Sequence, residues 1–260
     1  MSPRLVGAFL DGRTVMSTTL ASLKTVLCGA SPGDQGILQD SSYYSGITAR
    51  INLAVSAIAG GVRMPDGQVS PPSPLLYDMA TVATSITLPY VALPAAAGHV
   101  YQRNVFMVVD SNGNQIYGPR GGSYYDFALF LKQASHKGLT QAGAVSSVCV
   151  KGPNLYYQGI PSASKTLTIH FYRTPVAMTT DGTTVDGLPD NLATHLIKHW
   201  VAFNIFGEGL EDSNESRKAG YTYHKNAFYE AMVDYCDWAG IDAVPEYYGT
   251  GGYSDLGVCD

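Results

Sequence analysis

The sequence predicts an α+β protein: a helical body in which N-terminal and C-terminal helices pack together, an inserted small antiparallel β-rich domain, and an extended C-terminal arm. Three observations carry this. Apolar residues recur at helical spacing near both ends of the chain, they alternate through its middle, and the last twenty residues follow neither period. The 28 glycines and 14 prolines among 260 residues demand many turns, which a purely helical bundle lacks.

Residues 1–15 precede the first periodic segment and read as an N-terminal extension. Residues 16–80 hold the first two helices of the body. Ser17-Thr18-Thr19 is a cap cluster, Leu20, Leu23, Val26 and Leu27 form one stripe, and Gly29 with Pro32 beyond it ends the helix. The spacing predicts a second helix over 43–59, with Ile47, Ile51, Ala54, Val55 and Ile58 on one face and Gly60-Gly61 as its stop. Met64-Pro65-Asp66-Gly67 then opens a turn-rich stretch through Pro71, Pro72 and Pro74, where neither a helix nor a central strand continues.

Residues 81–185 are the inserted β-rich domain, with its strands expected between 81 and 178. Ile86, Leu88 and Val91 lead to Pro94, and apolar runs at 104–110 and 115–117 flank Ser111-Asn112-Gly113-Asn114, a strong hairpin signal. A second hairpin spans 145–158 around Lys151-Gly152-Pro153-Asn154, and a strand at 167–173 closes the region before Pro175. Residues 186–240 return to helix. Leu188-Pro189-Asp190 offers a staple residue, a turn and an acidic cap to a helix carrying Leu192, Leu196, His199, Trp200 and Phe203. After a polar loop, a long helix carries Ala219, Tyr223, Ala227, Phe228, Ala231, Tyr235 and Trp238 as far as Gly240. Trp200, Phe203, Phe228 and Trp238 are therefore expected in the helical core or at a subunit interface. Residues 241–260 form the arm, where Tyr247, Tyr248 and Tyr253 stand among glycines as anchors for a partner.

Composition excludes several classes of function. Sixteen Lys and Arg against 21 Asp and Glu leave a net charge of −5, which supplies no surplus of cations for gripping phosphates. Only 14% of residues are charged while 18 are tyrosine, an amphipathic side chain suited to interfaces. The chain reads as one that hides surface against partners. Cys28, Cys149, Cys236 and Cys259 lie far apart with no Cys-x-x-Cys pair, which argues for reduced thiols over a zinc site or disulfide framework. No apolar run approaches the roughly 18 residues of a membrane span, so neither an anchor nor a signal peptide is read.

The motifs point away from catalysis and cofactors. The run from Gly159 to Thr166 approaches a phosphate loop, but Ser164 stands in the second glycine's place and a strand, not a helix, follows. His195 and His199 are i, i+4 neighbours, yet Leu196 occupies the position of a zinc protease's glutamate, and His224 or Asp190 would join them only by tertiary accident. Packing against neighbours or a partner subunit is the expected role of these histidines. No Gly-x-Ser-x-Gly elbow is present, and the Asn214-Glu215-Ser216 sequon reads as idle. No catalytic, cofactor-binding or metal-binding residue is expected.

Leu88-Pro89, Leu93-Pro94, the run Leu167 to Tyr172 followed by Arg173-Thr174-Pro175, and Leu188-Pro189-Asp190 with His195 and Trp200 make the chain resemble the head-to-tail adaptor (neck, or head-tail connector) proteins of tailed bacteriophages. The resemblance covers roughly residues 16–240 and rests on fold pattern, with the leader before Met16 and the Gly-Tyr tail as departures from it. It implies a structural virion protein, assembled in the host cytoplasm, that forms a homo-oligomeric ring of twelve copies. That ring binds the portal above and tail or nozzle proteins below, and DNA passes through its lumen without specific binding. The alternative is a Tyr-rich carbohydrate-binding or other virion or secreted module, with Tyr124-Tyr125 and Tyr156-Tyr157 as stacking platforms.

Overall fold

The computed structural model describes residues 17–30, 36–38, 41–65, 67, 69–94, 105–117, 127–134, 139–208 and 215–240. Helix α1 (Leu20–Cys28) opens on a capping box: the Thr19 side chain accepts the Ser22 N–H, and the Ser22 hydroxyl oxygen accepts the Thr19 N–H. It stops at Gly29, whose φ of 93° suits glycine alone. Helix α2 (Ile47–Ala59) starts later than its spacing predicts, because Gly46 at φ 77° breaks the chain between it and a 3-10 turn at Ser41–Tyr43. The expected stripe of Ile47, Ile51, Ala54, Val55 and Ile58 is buried throughout.

The sheet region begins before residue 81. Ser73 caps a 3-10 turn at Pro74–Leu76, and strand β1 (Tyr77–Ala83) follows at once. Strand β2 is only Tyr90–Ala92; Ile86 and Leu88 lie exposed in the bend ahead of it, against the alternation read there. Strands β3 (Val105–Val109) and β4 (Gln115–Tyr117) form the expected Asn-Gly hairpin. Its turn is set by the Asp110 carboxylate, which accepts the N–H groups of Asn112 and Asn114, while Gly113 takes φ 83°. A short helix α3 (Phe127–Ala134), absent from the sequence reading, precedes the second hairpin, β5 (Ser147–Lys151) and β6 (Asn154–Gln158). Strand β7 (Thr166–Tyr172) completes the region.

The strands form two antiparallel sheets, ordered β1-β7-β3-β4 and β2-β6-β5. They share one core of Val105, Val108, Ile116, Val148, Val150, Leu155, Tyr157, Leu167, Ile169 and Phe171, and so make a small sandwich. The Gly159–Thr166 run is a loop that leads from β6 into the first residue of β7, anchored by Ser164 and Lys165 to Thr84.

Helices α4 (Asp190–Gly207) and α5 (Glu215–Ala239) pair with each other and cover α1 and α2 around a second core. The segment that returns from the sandwich is held by polar contacts, to α2 and within itself. Asn52 on α2 exchanges two hydrogen bonds with the Met178 backbone (3.0 and 2.8 Å), and Arg173 forks onto Asp186 at 2.6 and 2.9 Å. Asp190 does not act as the expected cap. Pro189 holds the N-cap position, and the Asp190 carboxylate accepts the Thr18 N–H at 3.3 Å, tying α4 to the start of α1. The buried stripe of α5 also differs from the expected one: Phe228, Ala231 and Tyr235 are buried as read, but Ala219, Tyr223 and Trp238 face solvent, while His224, Met232 and Ala239 face inward. Three apolar and aromatic residues therefore stand on the polar side of the helix.

Candidate assembly surface

Of the aromatic residues expected in the core or at an interface, Phe228 is fully buried, and its ring centroid lies 5.4 Å from that of Phe203. Phe203 and Trp200 are half-buried against the helical core. Trp238 is 38% exposed and rests on Tyr235, so it does not belong to the core. The anchors Tyr247, Tyr248 and Tyr253 lie outside the described residues.

The helices α4 and α5 bring together what the sequence left to chance. His199 and His224 are both buried, with their Nδ1 atoms 2.8 Å apart, so one ring donates and the other accepts. Burial pushes the His199 imidazole down to about 3, with Lys198, His195 and His224 adding to the effect, and His224 is lowered for the same leading reason. Both are neutral packing residues. His195 is exposed, though its ring centroid lies only 4.5 Å from that of His199. Among the described residues, no group of three or more His, Cys, Asp or Glu is placed to hold a metal ion.

A cavity of about 680 Å³ opens between α1 and α2, lined by Lys24, Cys28, Tyr44 and Asn52 among others. Two of its polar groups are already engaged: Lys24 pairs with Asp181, and Asn52 holds the Met178 backbone. Burial raises the Cys28 thiol above its ordinary value, which makes it a poor nucleophile.

The outward face of the four-stranded sheet is the feature the sequence reading missed. Tyr77, Met79, Phe106, His170 and Tyr172 gather there, with Tyr77 Oη 2.8 Å from His170 Nδ1 and the Phe106 and Tyr172 rings 5.1 Å apart. Met79 is 61% exposed and Tyr77 48%, on a face that carries no formal charge. A half-solvated antiparallel sheet ordinarily turns polar residues outward, so this face is built for contact. The signal was legible in β1 itself, where Tyr77 and Met79 interleave with Ala80 and Val82, giving apolar residues on both faces. By contrast Tyr157, read as half of a stacking platform, is fully buried, with its hydroxyl bonded to the Ser85 and Leu88 carbonyls. It cannot meet a sugar.

Two cores, a sandwich set between helices in the chain, and broad uncharged aromatic surface define an α+β protein suited to contact with other proteins. The sequence pattern of the family described as SU10 adaptor protein matches residues 18–250, and the chain belongs to that family, one of phage head-tail adaptors. It is accordingly a phage adaptor protein and a virion component. No curated protein matches the chain. Among the described residues, no helix is long and apolar enough to cross a membrane.

Proposed function

We propose that the chain forms a homo-oligomeric ring, a dodecamer, that joins the portal to the tail or nozzle proteins and lines the channel through which DNA passes. Family membership over residues 18–250 is the observation that carries this reading. The surface supports it. A ring subunit buries two different flanks against its neighbours, and Trp238, Val233 and Tyr223 on the outer side of α5, with Met79 and Tyr77 on β1, offer the apolar area such flanks need. A net charge of −5 suits a conduit in which cations would hold the phosphates of moving DNA. The arm of residues 241–260 docks on the portal through Tyr247, Tyr248 and Tyr253, aromatic groups that lose little entropy on immobilisation. Many weak joints around a ring then act together.

Electron microscopy of the purified protein, alone and mixed with its portal, tests the reading. Closed rings that bind the portal support it, and a chain that stays monomeric with the portal present overturns it. A chain lacking residues 241–260 is expected to melt as the full chain does and to lose portal binding. Wild-type affinity in that variant would move docking to the helical body.

A further inference from the structure

Strand β1 is an open edge of the four-stranded sheet, paired with β7 alone. Two hydrogen bonds in register fix its phase. The Arg173 N–H donates to the Leu76 carbonyl at 2.9 Å and the Thr84 N–H to the Lys165 carbonyl at 2.8 Å, so the even-numbered residues turn their backbone groups toward β7. Tyr77, Met79, Thr81 and Ala83 turn theirs outward. The Tyr77 N–H is taken by the Pro74 carbonyl and the Met79 N–H by Asp78 Oδ1, which leaves the Thr81 and Ala83 N–H groups and the outward carbonyls without a backbone partner among the described residues. Natural edge strands are guarded by lysine, proline, a bulge or a cover. This one has none of the first three: it holds a continuous register over seven residues, and Asp78 is its one charge.

The chain itself can supply a cover. Residues 1–16 lead into Ser17 and Thr18 near the N-terminal end of β1: Val185 donates its N–H to the Thr18 carbonyl at 2.9 Å, and two residues on, Gly187 packs so closely on the Leu76 side chain that a Cβ there would lie 2.6 Å from Leu76 Cδ2. Leu76 immediately precedes β1. Covering a seven-residue strand takes about 23 Å of extended chain, whereas sixteen residues reach about 50 Å. The leader carries Leu5, Val6, Phe9, Leu10 and Val15 to meet an apolar edge, and Arg4 and Arg13 against the single Asp11 to meet Asp78. We propose that residues 1–16 add a strand to the open edge of β1 in the same chain. The inference does not depend on ring formation.

Residue-by-residue hydrogen exchange on the full chain and on a chain lacking residues 1–16 tests this. In the full chain the Thr81 and Ala83 amides are expected to exchange as slowly as those of Ala80 and Val82. In the shortened chain Thr81 and Ala83 are expected to exchange about tenfold or more faster, while Ala80 and Val82 keep their protection. A peptide of residues 1–16 added to the shortened chain is expected to restore the slow rates. Equal rates for Thr81 and Ala83 in the two chains overturn the proposal: fast in both means an uncovered edge, and slow in both means a cover other than the leader.

Discussion

Lowering the pH from 6.5 to 4.5 is expected to weaken the helical body by about 3 kcal/mol, chiefly through two side chains. His199 and His224 share one hydrogen bond across the α4–α5 interface, and at 3% and 8% exposure neither ring has water to stabilise a charge. The surrounding groups offer little compensation: Phe206 stacks on His224, Tyr223 lies edge-on to both rings, and Lys198 opposes protonation of either. An unfolded histidine takes up its proton near pH 6.5, whereas His199 in the folded protein resists until about 3. The folded state therefore begins to lose stability as the pH falls through 6.5, and the loss steepens to about 1.4 kcal/mol per unit below it. Because the unfolded ring is already half protonated at pH 6.5, the two units give about 2 kcal/mol from His199, and His224, shifted the same way, supplies the rest. The window isolates the histidines. Asp186 and Glu208 are held below their ordinary values of 3.8 and 4.5 by Arg173 and Arg50, so their contribution is lost mainly at still lower pH. Urea unfolding at constant slope, run at both pH values on the wild-type chain and on the double variant His199→Leu with His224→Leu, measures the effect. Equal stability of the wild type at both pH values, or an equally steep loss in the double variant, would refute the reasoning.

Phe228→Ala is expected to cost about 3 to 5 kcal/mol because its ring is wholly enclosed, whereas Trp238→Ala is expected to leave the melting temperature unchanged and to weaken ring formation; thermal melts and sizing measure both. Gly159→Ala is expected to destabilise the sandwich by about 2 kcal/mol or more, since at φ 85° its new Cβ would collide with the Ala144 carbonyl oxygen; urea titration reads it out. Asp186→Asn is expected to cost about 1 to 2 kcal/mol, because this half-buried carboxylate accepts both prongs of Arg173 and the Val176 N–H, and the loss is expected to vanish below the pH at which the native carboxyl protonates.

Local chemistry was enough for much of this protein. The Thr19 cap and Gly29 stop delimit α1, the Asn112-Gly113 and Gly152-Pro153 turns place two hairpins, and the apolar stripe of α2 is buried as its spacing implies, because each signal acts within a few residues of itself. The adaptor family was legible too, since the order of helix, sheet and helix is written along the chain. What lay beyond the sequence depended on contacts between distant residues. Asp190 sits where a cap belongs, yet Thr18, 172 positions away, takes its carboxylate. In sequence His199 pairs only with His195, and His224 stands apart, until α5 folds back along α4 and places the His199 and His224 nitrogens 2.8 Å apart. The stripe of α5 is ambiguous in sequence because tyrosine and tryptophan suit both a core and an interface, and only the packing of α4 selects His224 and Met232 for the inside and Tyr223 and Trp238 for the outside. The aromatic sheet face formed by Tyr77, Phe106, His170 and Tyr172 has the same origin: it draws on three strands that are neighbours only because β7 pairs between β1 and β3, a long-range choice that no local period encodes.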